Sequence, residues 1–315
     1  MGCIGCCTQF AEEKENMNKT EFGNAIKESI EERMDENVEV TLQKFYKNNN
    51  VKRLGLVVKD LNLNIAPTLY LDELYDSYKK GRDLEEIINV VYDNLEKGMP
   101  KSKIDLDFFM EYDKVKDKIC HKLINYEKNK KLLESVPHLP FLDLAICFFY
   151  PFYHEDIGRG SILIRNVHVE KWGINTSELW RAAKENTRKI CPEECVSMER
   201  LMMDLLGISC EREECEARWD KPVMKVLTNR QRSFGASVIL YDGLLGEIAD
   251  GLDSNLFIIP SSIHEVLLLP QIEGEEARFE EMIFDVNRNE LDPQEVLSDH
   301  LYVYDRAEKK VKIVS

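Results

Sequence analysis

The amino-acid sequence predicts an α+β protein, with a helical N-terminal half and a mixed, largely antiparallel sheet with helices in the C-terminal half. Three observations support this fold class. Apolar residues recur at helical spacing through the first half of the chain. The second half alternates short apolar runs with amphipathic stretches, a pattern typical of strands and helices in turn. Its successive strands are joined by short turns, and such connections favour antiparallel pairs.

The N-terminal half begins with a predicted amphipathic helix. Asn18 or Thr20 is a suitable N-cap for it. Its apolar face consists of Phe22, Ile26, Ile30 and Met34. The same spacing continues through Val38, Leu42 and Phe45, so the helical prediction extends to these residues.

A turn follows the first helical region. Asn48–Asn50 predict this turn, because asparagine tolerates a left-handed backbone, and a short strand is expected directly after it. Gly81 is the expected C-cap between the next two helices. The further helices of this half are predicted near residues 68–79, 84–97 and 107–135.

The C-terminal half is predicted to alternate strands with helices. Asn175 and Glu178 have the spacing of a capping box and mark the start of one helix. Strands are predicted near residues 141–150, 160–168, 222–228, 235–240, 255–259, 265–269, 299–304 and 309–314. Helices are predicted near residues 176–189, 193–206, 241–250 and 276–289.

The chain is predicted to contain a leader and two regions. Residues 17–135 form the mainly helical region and residues 136–315 the α+β domain, although the two could also form one integrated fold. Residues 1–16 are predicted to be a non-native or disordered leader. Its "MGCIGCC" stretch matches a lipid anchor only in part, because the myristoylation pattern has Ser or Thr where this chain has Cys6. We favour a true start at Met17, since Glu12–Glu15 could be a translated ribosome-binding site.

The composition excludes several classes of function. Lys and Arg number 42 against 58 Asp and Glu, and the net charge of −16 repels phosphate backbones, so no nucleic-acid partner is expected. No membrane span is predicted, because the apolar stretch Leu139–Tyr153 is too short to cross a bilayer and contains Asp143. The N-terminus lacks the pattern of a secretory signal, and nine scattered cysteines do not resemble a disulfide framework. A reducing cytoplasm is the expected location.

A series of segments, in order over nearly the whole chain, carries a resemblance to a known family. The segments are "KNN" at 47–49, "NIAPTLYL" at 64–71, "KLINYEKNKKLL" at 122–133, "VPHLPFLDLA" at 136–145, "VLTNRQRSFGAS" at 226–237, "PSSIHE" at 260–265 and "VLSDHLYVY" at 296–304. From Met17 to its end the chain resembles a family of uncharacterised proteins from Gram-positive anaerobic bacteria, domain of unknown function 5688. The family favours glycine where this chain has Asn50, which can adopt the same left-handed backbone. The resemblance implies the fold and the cellular setting, and it implies no activity.

The His264–Glu265 pair is the first candidate for a functional site. A zinc protease helix would need a second histidine where this chain has Leu268, so that function is excluded. Ser262 and Glu265 have the spacing of a capping box, and a capped turn between two strands is therefore the favoured interpretation. In the alternative, His264 is a general base or metal ligand oriented by Glu265 or by a distant carboxylate, and Ser261 is a ligand-binding candidate beside it.

Four cysteines form the second candidate site. Cys191, Cys195, Cys210 and Cys215 have C-x3-C and C-x4-C spacings, and four thiolates can hold a structural zinc ion. The usual x2 spacing is absent, and Cys191 with Cys195 equally fits two small residues on one face of a helix. No cofactor is therefore predicted, and structural zinc is the alternative.

The remaining candidates lie within or beside predicted strands. Asp143, within an apolar strand, needs a partner, because burial of an unpaired carboxylate is costly. Hydrogen bonds that fix a nearby loop are the favoured explanation, and pairing with His264 is a hypothesis that the sequence cannot support. His138 lies between two prolines and is a ligand-binding candidate. Asn229 and Arg230 could receive a carboxylate or phosphate group, although a turn with a solvated rim is the favoured interpretation.

The sequence contains no Walker loop, dinucleotide glycine pattern or nucleophile elbow. The leading hypothesis is therefore a non-catalytic binding or interaction protein, whose partner is another protein or a small molecule. The alternative is a hydrolase-type enzyme that uses His264 and Glu265 with a carboxylate such as Asp143.

Overall fold

The structure, a computed structural model, describes residues 17–198 and 224–314. The chain divides into two compact units. Unit 1 comprises the described residues up to Lys47, together with Val51–Leu106 and Tyr153–Arg159, and unit 2 comprises Asn48–Asn50, Asp107–Phe152 and the described residues from Gly160 onwards. Helices and sheets of antiparallel strands make up both units, which confirms the α+β fold class.

Unit 1 contains a three-stranded antiparallel sheet and three helices. The strands have the order β1-β2-β3 in the sheet. The elements are α1 (Lys19–Glu31), β1 (Val38–Tyr46), β2 (Lys52–Asp60), β3 (Thr68–Tyr70), α2 (Asp72–Lys79) and α3 (Leu84–Gly98). Their apolar faces form one core, which includes the fully buried side chains of Phe22, Ile26, Leu56 and Ile87.

The start of α1 agrees with the prediction. Asn18 is the N-cap: its side-chain oxygen accepts hydrogen bonds from the backbone N–H groups of Thr20 and Glu21, at 3.0 and 3.1 Å. The Glu21 carboxylate in turn accepts the N–H of Asn18 at 2.8 Å, which completes a capping box. Two otherwise unpaired N–H donors of the first turn are thereby satisfied.

The predicted helix through Val38, Leu42 and Phe45 is wrong, because these residues lie in β1. Val38, Val40 and Leu42 also alternate with polar residues, so the segment fits a strand as well as a helix. Pairing decides between the two, since Val40 and Leu42 lie opposite Val58 and Leu56 of β2. The predicted turn is confirmed, and Asn49 and Asn50 both have a φ of 57°.

Unit 2 contains two sheets. The first sheet has the order β4-β6-β5, and its fourth strand, β7, pairs with β6. The last residues of β6 and the first residues of β7 fall within Tyr153–Arg159, which is counted with unit 1. The elements that precede the second sheet are α4 (Tyr112–Val115), β4 (Cys120–Asn125), α5 (Lys130–Leu133), β5 (His138–Phe141), β6 (Leu144–His154), β7 (Gly158–Leu163), α6 (Asn166–Trp172) and α7 (Thr176–Ile190). The capping box predicted for Asn175 and Glu178 is present at the start of α7.

The helix predicted over 107–135 is wrong. Two single-turn helices, α4 and α5, flank the strand β4 within this segment. Both faces of β4 are buried, so its apolar residues do not alternate with polar ones and the period of a strand is hidden.

The second sheet of unit 2 is antiparallel, with the strand order β13-β12-β10-β11-β9-β8. Its strands are β8 (Glu193–Ser197), β9 (Lys225–Asn229), β10 (Leu256–Ile259), β11 (Val266–Pro270), β12 (Tyr302–Asp305) and β13 (Lys310–Ile313). The helices α8 (Leu244–Leu252) and α9 (Glu276–Asn289) lie within this part of the sequence, close to their predicted bounds. The main core of unit 2 joins side chains of both sheets with α7 and α8, for example Leu123, Leu179, Ile248 and Ile258.

Two further predictions in this region need correction. The helix predicted over 193–206 begins as the strand β8, and residues 199–206 lie outside the described residues. The strand predicted over 235–240 is a 3₁₀ helix, Gly235–Leu240. Its residues Gly235–Ile239 are all buried, so the apolar run reflects burial of a tight turn and not a strand. None of the helices in the described ranges has the length and apolar character needed to cross a membrane.

Candidate functional site

His264 lies in the turn between β10 and β11, as predicted. The Ser262 hydroxyl accepts a hydrogen bond from the backbone N–H of His264 at 3.0 Å, and the N–H of Ser262 bonds to the carbonyl of Glu265 at 3.1 Å. The Glu265 carboxylate lies 3.4 Å from the Ser261 hydroxyl. The turn is therefore closed by Ser262, although its bonds differ from those of a capping box.

The imidazole of His264 is held on two sides. Its Nδ1 accepts a hydrogen bond from the backbone N–H of Phe234 at 3.2 Å, and the Phe234 ring stacks on it with a centroid distance of 5.9 Å. Nε2 lies 3.9 Å from a carboxylate oxygen of Glu295. Because Nδ1 accepts a hydrogen bond, the proton of the neutral ring resides on Nε2, which leaves no free nitrogen lone pair for a general base.

The loop 229–235 is packed against this turn. The Thr228 hydroxyl donates a hydrogen bond to the carbonyl of His264 at 2.7 Å. The side chain of Asn229 is buried and donates to the carbonyl of Ser233 at 2.9 Å, so it closes the loop and does not face a ligand. Arg230 is exposed, and its backbone N–H bonds to the carbonyl of Pro192.

Asp143 has two hydroxyl partners from the far end of the chain. The buried side chains of Ser298 and Tyr302 donate hydrogen bonds to its two carboxylate oxygens, at 2.6 and 2.7 Å. Burial raises the pKa of the Tyr302 hydroxyl, and the negative charge of Asp143 raises it further. The predicted need for a partner is thus met by hydroxyl groups, and the described structure does not pair Asp143 with His264.

A second group of polar side chains continues from Ser298. Asn287 at the end of α9 donates hydrogen bonds to the carbonyl of Ser298 and to the carboxylate of Asp299, at 2.9 and 2.8 Å. Lys128 forms an ion pair with the same carboxylate at 2.9 Å. Burial raises the pKa of Asp299, but the hydrogen bonds from Lys128 and Asn287 outweigh it and lower the pKa below its usual value.

A cavity of about 370 Å³ lies beside this polar group, and we call it the α9 cavity. It is lined by Asn49, Lys128, Phe284, Asn287, Arg288, Pro293, Val296 and Asp299. The Phe284 side chain is 49% exposed, and the Arg288 guanidinium lies 4.8 Å from the centroid of its ring. Within the described ranges no carboxylate forms an ion pair with Arg288, whereas Lys128 is neutralised by Asp299. The cavity therefore combines apolar surface with one cationic group available to a ligand.

The sequence of α9 contains apolar residues outside its buried face, and the predicted sites do not include them. The buried face of α9 contains Ile283, with Phe279 and Met282 packed beside it. Phe284 and Val286 are apolar residues that do not lie on this face, and both are exposed. Phe284 therefore leaves apolar surface of α9 uncovered by the core.

The remaining predicted residues lie elsewhere. The Nδ1 atom of His138 in β5 lies 3.0 Å from the carbonyl of Val136, which fixes the ring. Cys195 lies in β8, so the expectation that Cys191 and Cys195 share one face of a helix is wrong. Cys210 and Cys215 lie outside the described residues, so the four-cysteine zinc site stays the alternative to the prediction of no cofactor. The described part of the chain contains no group of three or more metal-ligating side chains.

The hydroxyl of Tyr302 allows a direct test of the Asp143 network. Tyr302→Phe keeps the buried ring but leaves one Asp143 oxygen without its donor, so the free energy of unfolding should fall by about 2 kcal/mol. Urea denaturation measures this change. Tyr304→Phe on the same strand is the matched control and should change stability little; equal losses in the two variants would show that the Asp143 network does not stabilise the fold.

A sequence model of one family, described as a family of unknown function (DUF5688), matches residues 19–306. No curated protein and no solved structure matches the chain.

Proposed function

The chain belongs to the DUF5688 family of unknown function, and from this premise we propose that it is a binding protein whose α9 cavity takes a small apolar carboxylate. The single observation that carries the proposal is the pairing of an exposed aromatic ring, Phe284, with the guanidinium of Arg288 at the rim of this cavity. A volume of about 370 Å³ lies within the range of about 300 to 1,000 Å³ that is usual for small-molecule sites.

The charges at the α9 cavity favour an anionic ligand. Asp299 is already paired with Lys128, so the remaining positive charge belongs to Arg288. A guanidinium binds a carboxylate through two parallel hydrogen bonds, and it does so most strongly where neighbouring apolar groups exclude water. The apolar surface of the cavity is supplied by Phe284, Pro293 and Val296, which all line it.

The hydrolase alternative has weaker support. It requires His264 to act as a base with Glu265 or Asp143 nearby. Nδ1 of His264 is occupied by the N–H of Phe234, and both oxygens of Asp143 accept hydrogen bonds from Ser298 and Tyr302. These hydrogen bonds hold loops in place. We therefore propose that His264 and Asp143 have structural roles and that the ligand binds at the α9 cavity.

The cellular setting belongs to the same proposal. We propose that the protein acts in a reducing cytoplasm and binds no nucleic acid. The supporting observations are the net charge of −16 and the scattered cysteines, of which Cys120, Cys147, Cys191 and Cys195 are free thiols in the described structure.

Calorimetric titration with two matched pairs of compounds tests the proposed ligand class. The pairs are hexanoate with hexanamide, and phenylacetate with phenylacetamide; the carboxylates should bind and the neutral amides should bind at least about tenfold more weakly. Arg288→Ala should abolish this preference for the charged compound, because the guanidinium is lost.

Arg278→Ala provides the control for this titration. Arg278 lies on the same helix, is exposed and pairs with Glu275, so its removal changes the net charge equally but leaves the cavity intact. Equal affinity for acid and amide, or equal losses in the two arginine variants, would contradict the proposal. Failure of both carboxylates to bind at millimolar concentration would also contradict it.

A further inference from the structure

Lys122 lies near the middle of β4, a strand whose other residues are all buried. Its own side chain is only partly buried, so solvent reaches part of it. Within the described ranges no carboxylate forms an ion pair with the Lys122 ammonium, and no oxygen accepts a hydrogen bond from it. Lysine side chains that enter a protein interior usually have such a partner. Lys122 therefore has an amine whose charge the described part of the protein does not balance.

An aromatic ring takes the place of a counter-ion beside Lys122. The Nζ atom lies 4.2 Å from the centroid of the Phe234 ring. This ring packs against those of Phe149 and His264, at 5.1 and 5.9 Å between centroids. The backbone N–H of Phe234 also donates a hydrogen bond to Nδ1 of His264 at 3.2 Å. The Phe234 ring is thus held in place beside the amine.

These surroundings favour the neutral form of the Lys122 amine. Burial lowers the pKa of Lys122 from its ordinary value, and the Cys147 thiol, directly opposite in β6, opposes this effect only in part. Because burial raises the pKa of Cys147 itself to about 12, its thiol stays uncharged near neutral pH. The Phe234 ring attracts an ammonium group but does not neutralise its charge. At neutral pH Lys122 therefore has more neutral amine, the nucleophilic form, than an exposed lysine.

We propose that Lys122 is a covalent binding site for a small apolar aldehyde, which its amine takes up as a Schiff base. The nitrogen lone pair attacks the carbonyl carbon, a C–N bond forms, and a proton moves from nitrogen to oxygen to give a carbinolamine. The hydroxyl group then leaves with the remaining amine proton as water, and the C–N bond becomes a C=N bond. The step needs no oxidant or reductant.

The neighbours of the amine favour an alkyl chain on the aldehyde. The rings of Phe234 and Phe149 supply apolar surface, and no charged group of the described structure pairs with the amine. Neither ring lines the α9 cavity, and Lys122 does not line it either. The aldehyde site is therefore independent of the proposed carboxylate site, and each can fail without the other.

Reductive labelling of the full chain tests the proposal. Butanal forms the imine, sodium cyanoborohydride reduces it to a stable butyl amine, and peptide mapping locates the labelled lysines. At about pH 7, Lys122 should be labelled faster than Lys309, although Lys309 is exposed. The ratio of the two rates should fall as the pH is raised to about 10, because exposed lysines then also lose their protons.

A second aldehyde and two variants test the role of the aromatic rings. Glyceraldehyde, which is polar and similar in size to butanal, should show a smaller preference for Lys122. Phe234→Gly removes the ring and suits the left-handed backbone at this position, where φ is 53°. Water then replaces the ring beside the amine, so the midpoint of the pH profile of Lys122 labelling should move to a higher pH. Leu142→Gly, at another left-handed position, is the control and should leave the midpoint unchanged.

Three results would overturn the proposal. One is faster labelling of Lys309 than of Lys122 at about pH 7 in the folded wild type, a measurement that needs no variant. Another is an equal preference for Lys122 with butanal and with glyceraldehyde, since the rings then do not select an apolar ligand. The third is an unchanged midpoint in Phe234→Gly, provided that circular dichroism shows the variant to be folded.

Discussion

Replacing Gly235 by alanine is expected to lower the free energy of unfolding by about 3 kcal/mol or more. A Cβ atom at this position would lie 2.2 Å from the Thr228 hydroxyl oxygen, 2.4 Å from the carbonyl oxygen of His264 and 2.8 Å from the backbone nitrogen of Asn229. Two of these three atoms belong to the backbone of the loop 229–235 and of the His264 turn. They can move only if β9 and β11 separate, because the neighbouring residues are paired in the sheet.

Gly246→Ala is the matched control for this prediction. A Cβ at Gly246 would meet only the hydroxyl of Tyr304, at 3.1 Å, which is the end of a side chain and can shift. Gly246 lies within α8, where alanine is favoured over glycine by up to about 1 kcal/mol. Urea denaturation should therefore give a large loss for Gly235→Ala and little change or a gain for Gly246→Ala. Equal stability of the two variants would contradict the described packing of the His264 turn.

His121→Phe is expected to become progressively more stable than the wild type as the pH falls. The imidazole of His121 is buried, and neither ring nitrogen has a hydrogen-bond partner among the described residues. It packs against the rings of Trp180 and Tyr241, at 5.2 and 6.1 Å between centroids. Burial lowers its pKa from 6.5 to about 3, and the positive charge of Lys184 contributes to the shift.

The sign of this pH dependence follows from the direction of the shift. Between the unfolded pKa of 6.5 and the folded pKa of about 3, the unfolded chain binds a proton at His121 that the folded chain does not bind. Stability is therefore lost as the pH falls through this range. Phenylalanine cannot titrate, so the advantage of His121→Phe should be about 2 kcal/mol larger at about pH 5 than at about pH 7.5.

His121→Gln separates titration from burial of an unpaired polar group. Glutamine does not titrate in this range but keeps a polar group in the buried position, so it should give the same pH dependence as phenylalanine with a lower stability throughout. Urea denaturation at several pH values measures all three proteins. A stability difference between His121→Phe and the wild type that does not change with pH would contradict the buried, neutral state of His121.

Helices with clear caps and one apolar face could be predicted from the sequence. The sequence predicts α1, α7 and α9 correctly. The signals are the N-cap Asn18 for α1, the Asn175–Glu178 capping box for α7 and the apolar spacing for α9, and each lies within one or two helical turns. The spacing of Val38 and Leu42 was ambiguous, and pairing with β2 decided in favour of a strand. Pairing with the next strand of the hairpin depends on residues outside the segment, which its own apolar spacing does not contain.

The candidate sites also depend on contacts between residues that are far apart along the chain. The sequence indicated that Asp143 needs a partner, but Ser298 and Tyr302 are 155 and 159 residues away along the chain. The His264 turn was predicted because Ser262 is close in sequence, whereas contact of His264 with Phe234 depends on the pairing of β11 with β9. The α9 cavity was missed because its lining comes from four separate segments, although exposed Phe284 was an available signal.

The most direct test of the binding proposal is to map the backbone amide chemical-shift changes of the protein on titration with hexanoate. The largest changes should fall on the residues around Phe284, Arg288 and Val296, and they should be lost in Arg288→Ala but kept in Arg278→Ala. Changes concentrated around His264 and Glu265 instead would contradict the proposed site and would favour the hydrolase alternative.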